Sequence, residues 1–336
     1  MAQHQLEVLA VGDVVTDAFI KLIDKEEKLE HHKNGEDWLA IPFGTKIPFD
    51  HAEVIEGVGN AGNAAVAMAR LGLRTAFETN VGDDQFGRDI IASHHKNGVD
   101  TRFIHVNPGH NSNYHYVLWY KDERTILIKH EEYDYHWPRF RVIDIPRWIY
   151  FSSISQHAME YHDELAVWLE SHPSVKLAFQ PGTFQIDAGT KRLKKIYERT
   201  EVLAVNREEA ATISKGDHGD MNDLFDKLHT LGPKTVVISD GHAGAYASDG
   251  RNRWKMPIYP DPKPPYERTG AGDAFTSTFV AALAKGADVE GALLWAPINS
   301  MSVVQKVGAQ AGLLTEEEIT KYLHKAPRWY HPERLR

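Results

Sequence analysis

Short apolar runs and amphipathic segments alternate along most of the chain. Apolar runs bounded by polar or glycine residues are typical of buried strands, and apolar residues at helical spacing indicate helices that pack on them. Strands are predicted in this way at residues 6–11, 74–80, 101–106, 148–151, 175–179, 202–205 and 235–239. This alternation predicts a three-layer, Rossmann-like α/β fold in which helices cover both faces of a mostly parallel sheet.

Two segments interrupt the alternation, at residues 17–50 and 110–133. Both are too polar for a core layer and contain short β-like runs rich in aromatic residues. The runs lie at residues 19–23, 38–43, 114–120 and 125–129. The first two predict one hairpin and the last two predict another. We expect the hairpins to pair into one small β-sheet that covers a ligand cleft as a lid.

The remaining residues, 1–16, 51–109 and 134–336, are assigned to the α/β core. An alternative role for the two hairpins is an oligomer interface, because an apolar sheet face left uncovered favours association. The two roles are compatible in a homodimer that forms through the lid.

Composition restricts the classes of function. The 336 residues carry a net charge of −9, so no basic field favours nucleic acid or an anionic membrane surface. Cysteine is absent, which excludes disulfides, thiol catalysis and thiolate metal sites. The 19 histidines lack metal-ligand spacing and are interpreted as solvated surface residues. No apolar stretch is long enough to span a membrane and no secretory pattern is found, so a cytoplasmic location is expected.

A glycine-rich turn at residues 268–275 joins a carboxylate to the start of a long apolar helix. Gly270 and Gly272 allow an unusual backbone at the helix N-terminus, where free N–H groups attract an anion. Asp273 is then either a cap of this helix or a general base held beside a phosphate.

Acidic residues follow several predicted strands, at the sheet edge where ligands bind in open α/β proteins. Asp13 and Asp17 follow the first strand and are either turn residues or acceptors for substrate hydroxyls. Asn206 and Glu209 have the spacing of a capping box, and the alternative is that Glu209 holds hydrated Mg²⁺.

A second glycine motif gives a competing interpretation. Gly57, Gly59 and Gly62 satisfy the dinucleotide fingerprint G-x-G-x-x-G, and Glu78 lies where a ribose-binding acid belongs, which predicts an NAD-dependent dehydrogenase. However, the motif does not follow the strong first strand. Asn60 and Asn63 also place amide groups in it, and amides suit sugar hydroxyls better than a pyrophosphate.

In their joint order, these motifs resemble the ribokinase family of carbohydrate kinases, also called the PfkB family. The resemblance covers nearly the whole chain and implies a ribokinase-like fold that transfers the γ-phosphoryl group of ATP, with Mg²⁺, to a hydroxyl of a sugar or nucleoside. It implies that Asp273 is the general base and that the N–H groups of Gly270, Ala271 and Gly272 stabilise the transferring phosphoryl group. It further implies substrate contacts from Asp13, Asp17, Gly59 and Asn63, metal binding by Glu209, and nucleotide contacts from Asn206, Asp240, Gly241, Gly244, Thr269 and Asn299.

Departures from the family pattern leave some questions open. Glu267 stands where the family usually has the aspartate of a monovalent-cation site, so a requirement for K⁺ is left open. Gln180 stands near a position where many members have an aspartate or asparagine. Aromatic residues of the hairpins either stack on a nucleoside base or form the lid core, namely Phe43, Tyr114, Tyr116 and Trp119. A third hypothesis is a ligand sensor without activity on a kinase fold.

Overall fold

The computed structural model describes residues 6–23, 28–32, 37–121 and 123–335. The strands are β1 (Val8–Val11), β2 (Val15–Leu22), β3 (Lys28–His31), β4 (Asp37–Ala40), β5 (Phe49–Val58), β6 (Thr75–Gly82), β7 (Asp100–Asn107), β8 (Tyr114–Tyr120), β9 (Glu123–Leu127), β10 (Trp148–Phe151), β11 (Lys176–Phe179), β12 (Thr200–Asn206), β13 (Thr235–Ser239), β14 (Ala245–Ser248), β15 (Arg253–Met256) and β16 (Glu333–Leu335). The α-helices are α1 (Asn60–Arg70), α2 (Gln85–Lys96), α3 (Met159–Ser171), α4 (Thr183–Arg192), α5 (Lys194–Arg199), α6 (Arg207–Ser214), α7 (Met221–Thr230), α8 (Ala271–Ala284), α9 (Val289–Val303) and α10 (Glu316–His324).

A ten-stranded sheet forms the centre of the core, in the order β16-β15-β14-β13-β12-β11-β10-β1-β6-β7. The seven strands from β13 to β7 run parallel, and β14, β15 and β16 continue the sheet antiparallel. This confirms the predicted mostly parallel sheet. The chain order reverses at β1, which has β6 on one side and β10 on the other. In sheets of this kind, the crevice beyond the carboxyl ends of such strands is where ligands bind.

Alternate residues of the central strands pack into two separate hydrophobic layers. Tyr150 belongs to the layer that contains α8 and α9, whereas Phe151 belongs to the layer that contains α3 and α5. Both side chains are fully buried, as expected for strands covered on both faces. His94 and His162 are also buried, so interpreting every histidine as a surface residue was wrong.

Parts of the two interruptions, with the segment that follows the first, form one four-stranded sheet in the order β5-β2-β8-β9, which confirms the predicted small sheet. β2 pairs parallel with β8, and β8 pairs with β9 as the predicted second hairpin. The first predicted hairpin is wrong. β4 pairs with β3, and residues 19–22 pair with β5 and β8. The charged patch between them falls partly outside the described residues, at 24–27 and 33–36.

Residues 53–58 were assigned to the core but form the end of β5 in the small sheet. The exposed or half-buried glutamates Glu53 and Glu56 suit a strand with one solvated face, and they do not suit the centre of a parallel sheet. The chain re-enters the core only at Gly57 and Gly59, whose φ angles are 75° and 108°. Among the described residues, no helix has the length and apolar character to cross a bilayer.

Candidate active site

A cavity of about 400 Å³ lies between the small sheet and the carboxyl ends of the core strands. Segments from distant parts of the chain line it, and they include most of the residues that the sequence analysis selected. Its lining includes Asp17, Gly59, Asn63, Asn206, Glu209, Thr269, Gly270, Gly272 and Asp273. The structure therefore brings together the two glycine motifs and the Asn206 motif.

The Gly270 turn begins α8 and faces this cavity. Gly270 has φ 78° and ψ 0°, and a Cβ atom there would lie 2.3 Å from Cβ of Ala309, so this position requires glycine. At Gly272, a Cβ atom would meet nothing within 4 Å. The first turn of a helix leaves N–H groups without intrahelical partners, and here that turn borders an open cavity. An anion can therefore be held at this helix end.

Asp273 does not cap α8. The N-cap residue is Gly270, without a side-chain cap, and the Asp273 carboxylate instead accepts hydrogen bonds from other segments. Oδ1 accepts from Asn60 Nδ2 at 2.7 Å and from Gln180 Nε2 at 3.1 Å, and Oδ2 accepts from Asn63 Nδ2 at 2.8 Å. A carboxylate offers about four lone-pair sites, so one acceptor site remains for a ligand hydroxyl.

The ionisation of Asp273 reflects two opposing effects. Burial raises the pKa of the Asp273 carboxyl above its usual range, and hydrogen bonds from Asn63, Asn60 and Gln180 act to lower it. The residue is 8% exposed, so it is shielded from water yet open to the cavity. A carboxylate with a raised pKa and a free acceptor site is suited to take a proton from a bound hydroxyl.

The Gly57 motif supplies part of this arrangement. Gly59 precedes the N-terminus of α1, which places Asn60 and Asn63 toward Asp273. Gln310 supports the turn by donating to the carbonyl oxygen of Gly57 at 2.7 Å and to Asn63 Oδ1 at 3.1 Å.

The dinucleotide interpretation of the same motif is wrong on geometry. The fingerprint requires a preceding strand of the parallel sheet, whereas β5 belongs to the small sheet. The supposed ribose-binding acid, Glu78, is buried in β6 and accepts a hydrogen bond from the Tyr161 hydroxyl.

Asp13 and Asp17 lie at the lid side of the cleft. Asp13 follows β1, and its Oδ1 accepts from the Tyr135 hydroxyl at 2.8 Å. Asp17 lies on β2, lines the cavity, and has one oxygen 3.3 Å from His115 Nδ1. Both aspartates are nine-tenths buried. Neither is a solvated turn residue, which makes hydroxyl binding the better interpretation of both.

Asn206 and Glu209 form the predicted capping box at the start of α6. The Glu209 N–H donates to Asn206 Oδ1 at 2.8 Å, and the Asn206 N–H donates to Glu209 Oε2 at 2.9 Å. Both residues also line the cavity. Burial raises the pKa of Glu209, with smaller contributions from Glu208 and Asp273. No group of three or more ligating side chains occurs among the described residues, so Glu209 provides a single carboxylate for a cation.

A second, largely apolar cavity of about 260 Å³ lies on the other side of the Gly270 turn. Gly241 and Gly244 line it, and their contact with a nucleotide stays a prediction. Asp240 instead pairs with Arg207, 2.7 Å between Nη1 and Oδ2. Side chains that the sequence analysis missed supply much of the wall, and these are Ile258, Tyr259, Phe275, Ser300, Met301 and Val304.

Asn299 does not line either cavity. It is fully buried, donates to Thr278 Oγ1 at 2.7 Å and accepts from the Leu314 N–H at 2.9 Å. Its predicted contact with a nucleotide is therefore corrected to a structural role between α8, α9 and the segment that follows. The neighbouring residues Ser300 and Met301 face the cavity instead, one and two positions further along the helix.

Residues 51–316 match the family model described as pfkB family carbohydrate kinase, which is more than half of the chain. The chain belongs to this family. Membership makes it a phosphotransferase with an alcohol group as acceptor.

Relatives and solved structures agree with this assignment. Ribokinase of Bacillus subtilis (strain 168) is 29% identical over 275 residues, which cover 79% of this chain and 87% of that protein. The structure of Arabidopsis thaliana ribokinase complexed with ribose and ATP has a TM-score of 0.76 at 19% identity, over 95% of this chain and 99% of that one. The nucleoside kinase of Methanocaldococcus jannaschii, a ribokinase family member, has a TM-score of 0.75 at 18% identity, over 96% and 99%. At such identities the structural likeness shows the shared fold.

Gln180 and Glu267, the two departures from the pattern of this family, both support the Gly270 turn. Gln180 accepts a hydrogen bond from the Tyr150 hydroxyl and donates to Asp273, so it connects the central sheet to the carboxylate. Glu267 accepts from the N–H groups of Thr269 at 2.7 Å and Gly308 at 2.9 Å. Its carboxylate therefore ties the turn to the loop that contains Ala309.

Proposed function

We propose that this protein is an ATP-dependent sugar kinase that transfers the γ-phosphoryl group to a sugar hydroxyl. The observation that carries the proposal is the position of Asp273, which is held by three amide donors in the first turn of α8 and retains one free acceptor site. In this scheme the sugar hydroxyl donates its proton to Asp273. Its oxygen forms the new bond to phosphorus as the bond to the bridging oxygen of ADP breaks.

The Gly270 turn supplies the complementary electrostatics. The N–H groups of Gly270, Ala271 and Gly272 would stabilise the charge on the transferring phosphoryl group, because the positive end of the α8 dipole borders the cavity. The apolar second cavity is assigned to the adenine and ribose of ATP, with Gly241 and Gly244 at its edge. The phosphates would then pass beside Thr269, between the two cavities.

The residues present fit a hydrated Mg²⁺ ion. Asn206 and Glu209 offer hard oxygen atoms at the cavity wall, and a single carboxylate suits an ion that keeps several waters and binds phosphate oxygens. The ion would neutralise charge that develops on the phosphates. Glu209 would hold its waters through the carboxylate, and the capping box fixes that carboxylate in place.

The lining of the cavity favours a sugar over a nucleoside. Among the described residues that line it, the aromatic rings are Phe19 and the imidazole of His115. The hairpin aromatics considered for base stacking lie elsewhere. Tyr116 is on the outer face of the small sheet, and the Trp119 indole donates to the Lys121 carbonyl and packs on Tyr266.

Phosphoryl transfer is tested by incubating the protein with Mg-ATP and a panel of sugars and nucleosides, and by detecting the phosphorylated product with mass spectrometry. We expect at least one sugar to give a product, and omission of Mg²⁺ to abolish it. A preparation that binds ATP but phosphorylates no sugar would contradict the proposal.

We also propose that two copies associate through the outer face of the small sheet. Val54, Ala18, Tyr116 and Leu127 stand in register across all four strands, and Val54, Tyr116 and Leu127 are about half exposed. Such an apolar row favours association. Light scattering should give a dimer for the wild type and a monomer for Tyr116→Lys, and a monomeric wild type would exclude the dimer. The cytoplasmic location stays a prediction.

A further inference from the structure

Polar groups at the lid side of the cleft are not explained by phosphoryl transfer alone. Four side-chain atoms are buried there without a hydrogen-bond partner. Asp17 Oδ1 and His115 Nε2 belong to residues that line the cavity, and Asp13 Oδ2 and His130 Nδ1 belong to neighbouring residues outside that lining. Because a buried polar atom without a partner costs free energy, such a cluster indicates groups that a ligand is needed to satisfy.

These residues form two pairs, in each of which an aspartate faces a histidine. His115 Nδ1 lies 3.3 Å from Asp17 Oδ1, and His130 Nδ1 lies 3.7 Å from Asp13 Oδ2. Neither contact has the geometry of a hydrogen bond, so both oxygens remain free to accept one. The two imidazole rings are 5.3 Å apart between centroids, so the pairs belong to one cluster.

The surrounding structure fixes both pairs. Asp17 and His115 are register partners on β2 and β8, and His115 lines the cavity beside Asp17. Asp13 is held by the hydrogen bond from Tyr135. The His130 ring packs edge-on against Phe184, with 5.9 Å between centroids. Side chains held in this way can recognise a ligand at a small cost in conformational entropy.

We propose that His115 and His130 are substrate-binding residues, and that the two aspartate-histidine pairs bind two hydroxyl groups of an uncharged sugar. A sugar hydroxyl can donate one hydrogen bond and accept another. Each hydroxyl therefore matches one pair, donating to the carboxylate and accepting from an imidazole N–H. The inference rests on the proposed sugar kinase function and adds the class of substrate, a sugar without a carboxylate or phosphate group.

The distribution of charge in the cleft supports this class. Two carboxylates at the lid side repel an anionic group, and Glu131 lies near His130 in the chain. Of the basic residues that line the cavity, Arg268 lies on the phosphoryl side and Arg124 lies on β9 of the small sheet. Arg268 precedes the Gly270 turn, and Arg124 also borders a small cavity beside Glu267. A metal ion is a poor alternative occupant, since no described cluster of side chains is suitable as a metal site.

The first test uses the wild-type protein and compares kcat/KM for D-ribose and D-fructose, their monodeoxy analogues and D-gluconate. We expect the loss of a hydroxyl bound by a pair to lower kcat/KM by about 10- to 100-fold, as for a hydrogen bond to a charged group. D-gluconate should react no better than the deoxy analogues. If D-gluconate matched the better neutral sugar, or if every monodeoxy analogue reacted as well as its parent, the inference would be overturned.

The second test asks whether the histidines make these contacts. His115→Gln and His130→Gln are compared with His95→Gln, which changes an exposed histidine on α2. In the first two variants the penalty for the deoxy analogue should become smaller, because the imidazole contact is lost while the carboxylate contact remains, and in the control it should stay as in the wild type. An unchanged penalty in both variants would show that the histidines do not bind the substrate.

Melting temperatures show whether each variant is folded. If a variant is not folded, the comparison of sugars, deoxy analogues and D-gluconate with the wild-type protein decides whether the inference holds. The outcomes also separate the two proposals. If neutral sugars react but no better than their deoxy analogues or D-gluconate, only the inference is overturned. If no sugar gives a product, the kinase proposal is overturned and the inference with it.

Discussion

The Asn63 amide nitrogen donates a 2.8 Å hydrogen bond to Oδ2 of Asp273, although 210 positions separate the two residues in the chain. This contact joins the N-terminal turns of α1 and α8. It explains why both glycine motifs meet at one site, since the first positions the carboxylate that the second provides and favours its ionised form. Each motif alone has an ordinary structural explanation.

Asp273→Asn removes the proton acceptor and keeps the size of the side chain. We expect kcat to fall by about 10²- to 10⁴-fold, which is the usual contribution of a general base. ATP should still raise the melting temperature, because the Gly270 turn is unchanged. Asp187→Asn, on an exposed part of α4, is the matched control. A kcat within a few-fold of the wild type would exclude Asp273 as the base, and a wild type without turnover would favour the sensor hypothesis.

Asn63→Ala should change how activity depends on pH. Burial raises the pKa of Asp273 and the Asn63 amide acts to lower it, so removing the amide raises the pKa further. Because the base must be ionised, activity is lost as pH falls through this pKa, and the acid limb of kcat/KM should move to higher pH. The profile is measured under conditions where Mg-ATP is saturating. A lower kcat with an unmoved acid limb would contradict the assignment.

Glu209→Gln should weaken the response to Mg²⁺ while the fold is retained. Glutamine can still accept from the Asn206 N–H in the capping box, but it lacks the charge that attracts the hydrated ion. We expect the Mg²⁺ concentration for half-maximal rate to rise by about tenfold or more. The control is Glu208→Gln, an exposed neighbour in the same helical turn. Equal effects of the two substitutions would argue against a metal role for Glu209.

Glu78→Gln should alter the dependence of stability on pH. Burial raises the pKa of Glu78 from 4.5 to about 8, so the folded protein keeps its proton at neutral pH whereas the unfolded chain loses it. This residue therefore contributes fully to stability below pH 4.5, and that contribution is lost as pH rises to about 8, by about 1.4 kcal/mol per pH unit.

The measurement is urea unfolding of wild type and Glu78→Gln at several pH values. The gain in unfolding free energy of the variant over the wild type should grow between pH 5 and 8 and then level off. If the unfolding free energies of the two proteins differed by the same amount at every pH, Glu78 would be ionised in the folded protein and the prediction would be wrong.

Replacing K⁺ should have little effect on turnover. Both oxygens of Glu267 accept backbone N–H groups, so the turn and the Gly308 loop are already connected without a cation. We expect exchange of KCl for tetramethylammonium chloride to change kcat by less than about twofold, because both carboxylate oxygens of Glu267 already have partners. A loss of most of the activity, restored by K⁺, would contradict this.

The parallel core was predictable because each buried strand is a short apolar run, and such runs have few alternatives. The position of β5 was not predictable, because its alternating pattern fits either the edge of the core sheet or the small sheet. Which of the two it joins depends on its pairing with β2, a separate segment of the chain. Asp273 and the Asn63 motif could be found from their local patterns. Local patterns could not show that Gln180 links the central sheet to Asp273, or that Ser300 and Met301 line a cavity. Both depend on how separate helices pack.

Four chain connections join the small sheet to the core, and two of them adjoin candidate substrate contacts. β2 leaves the core directly after Gly12 and Asp13, and β5 returns to it through Gly57 and Gly59. A rotation of the sheet as a rigid body would turn partly about these two points. The hinges of this movement would then be part of the binding surface. A bound substrate would therefore restrict the opening and closing of the small sheet directly at its hinges.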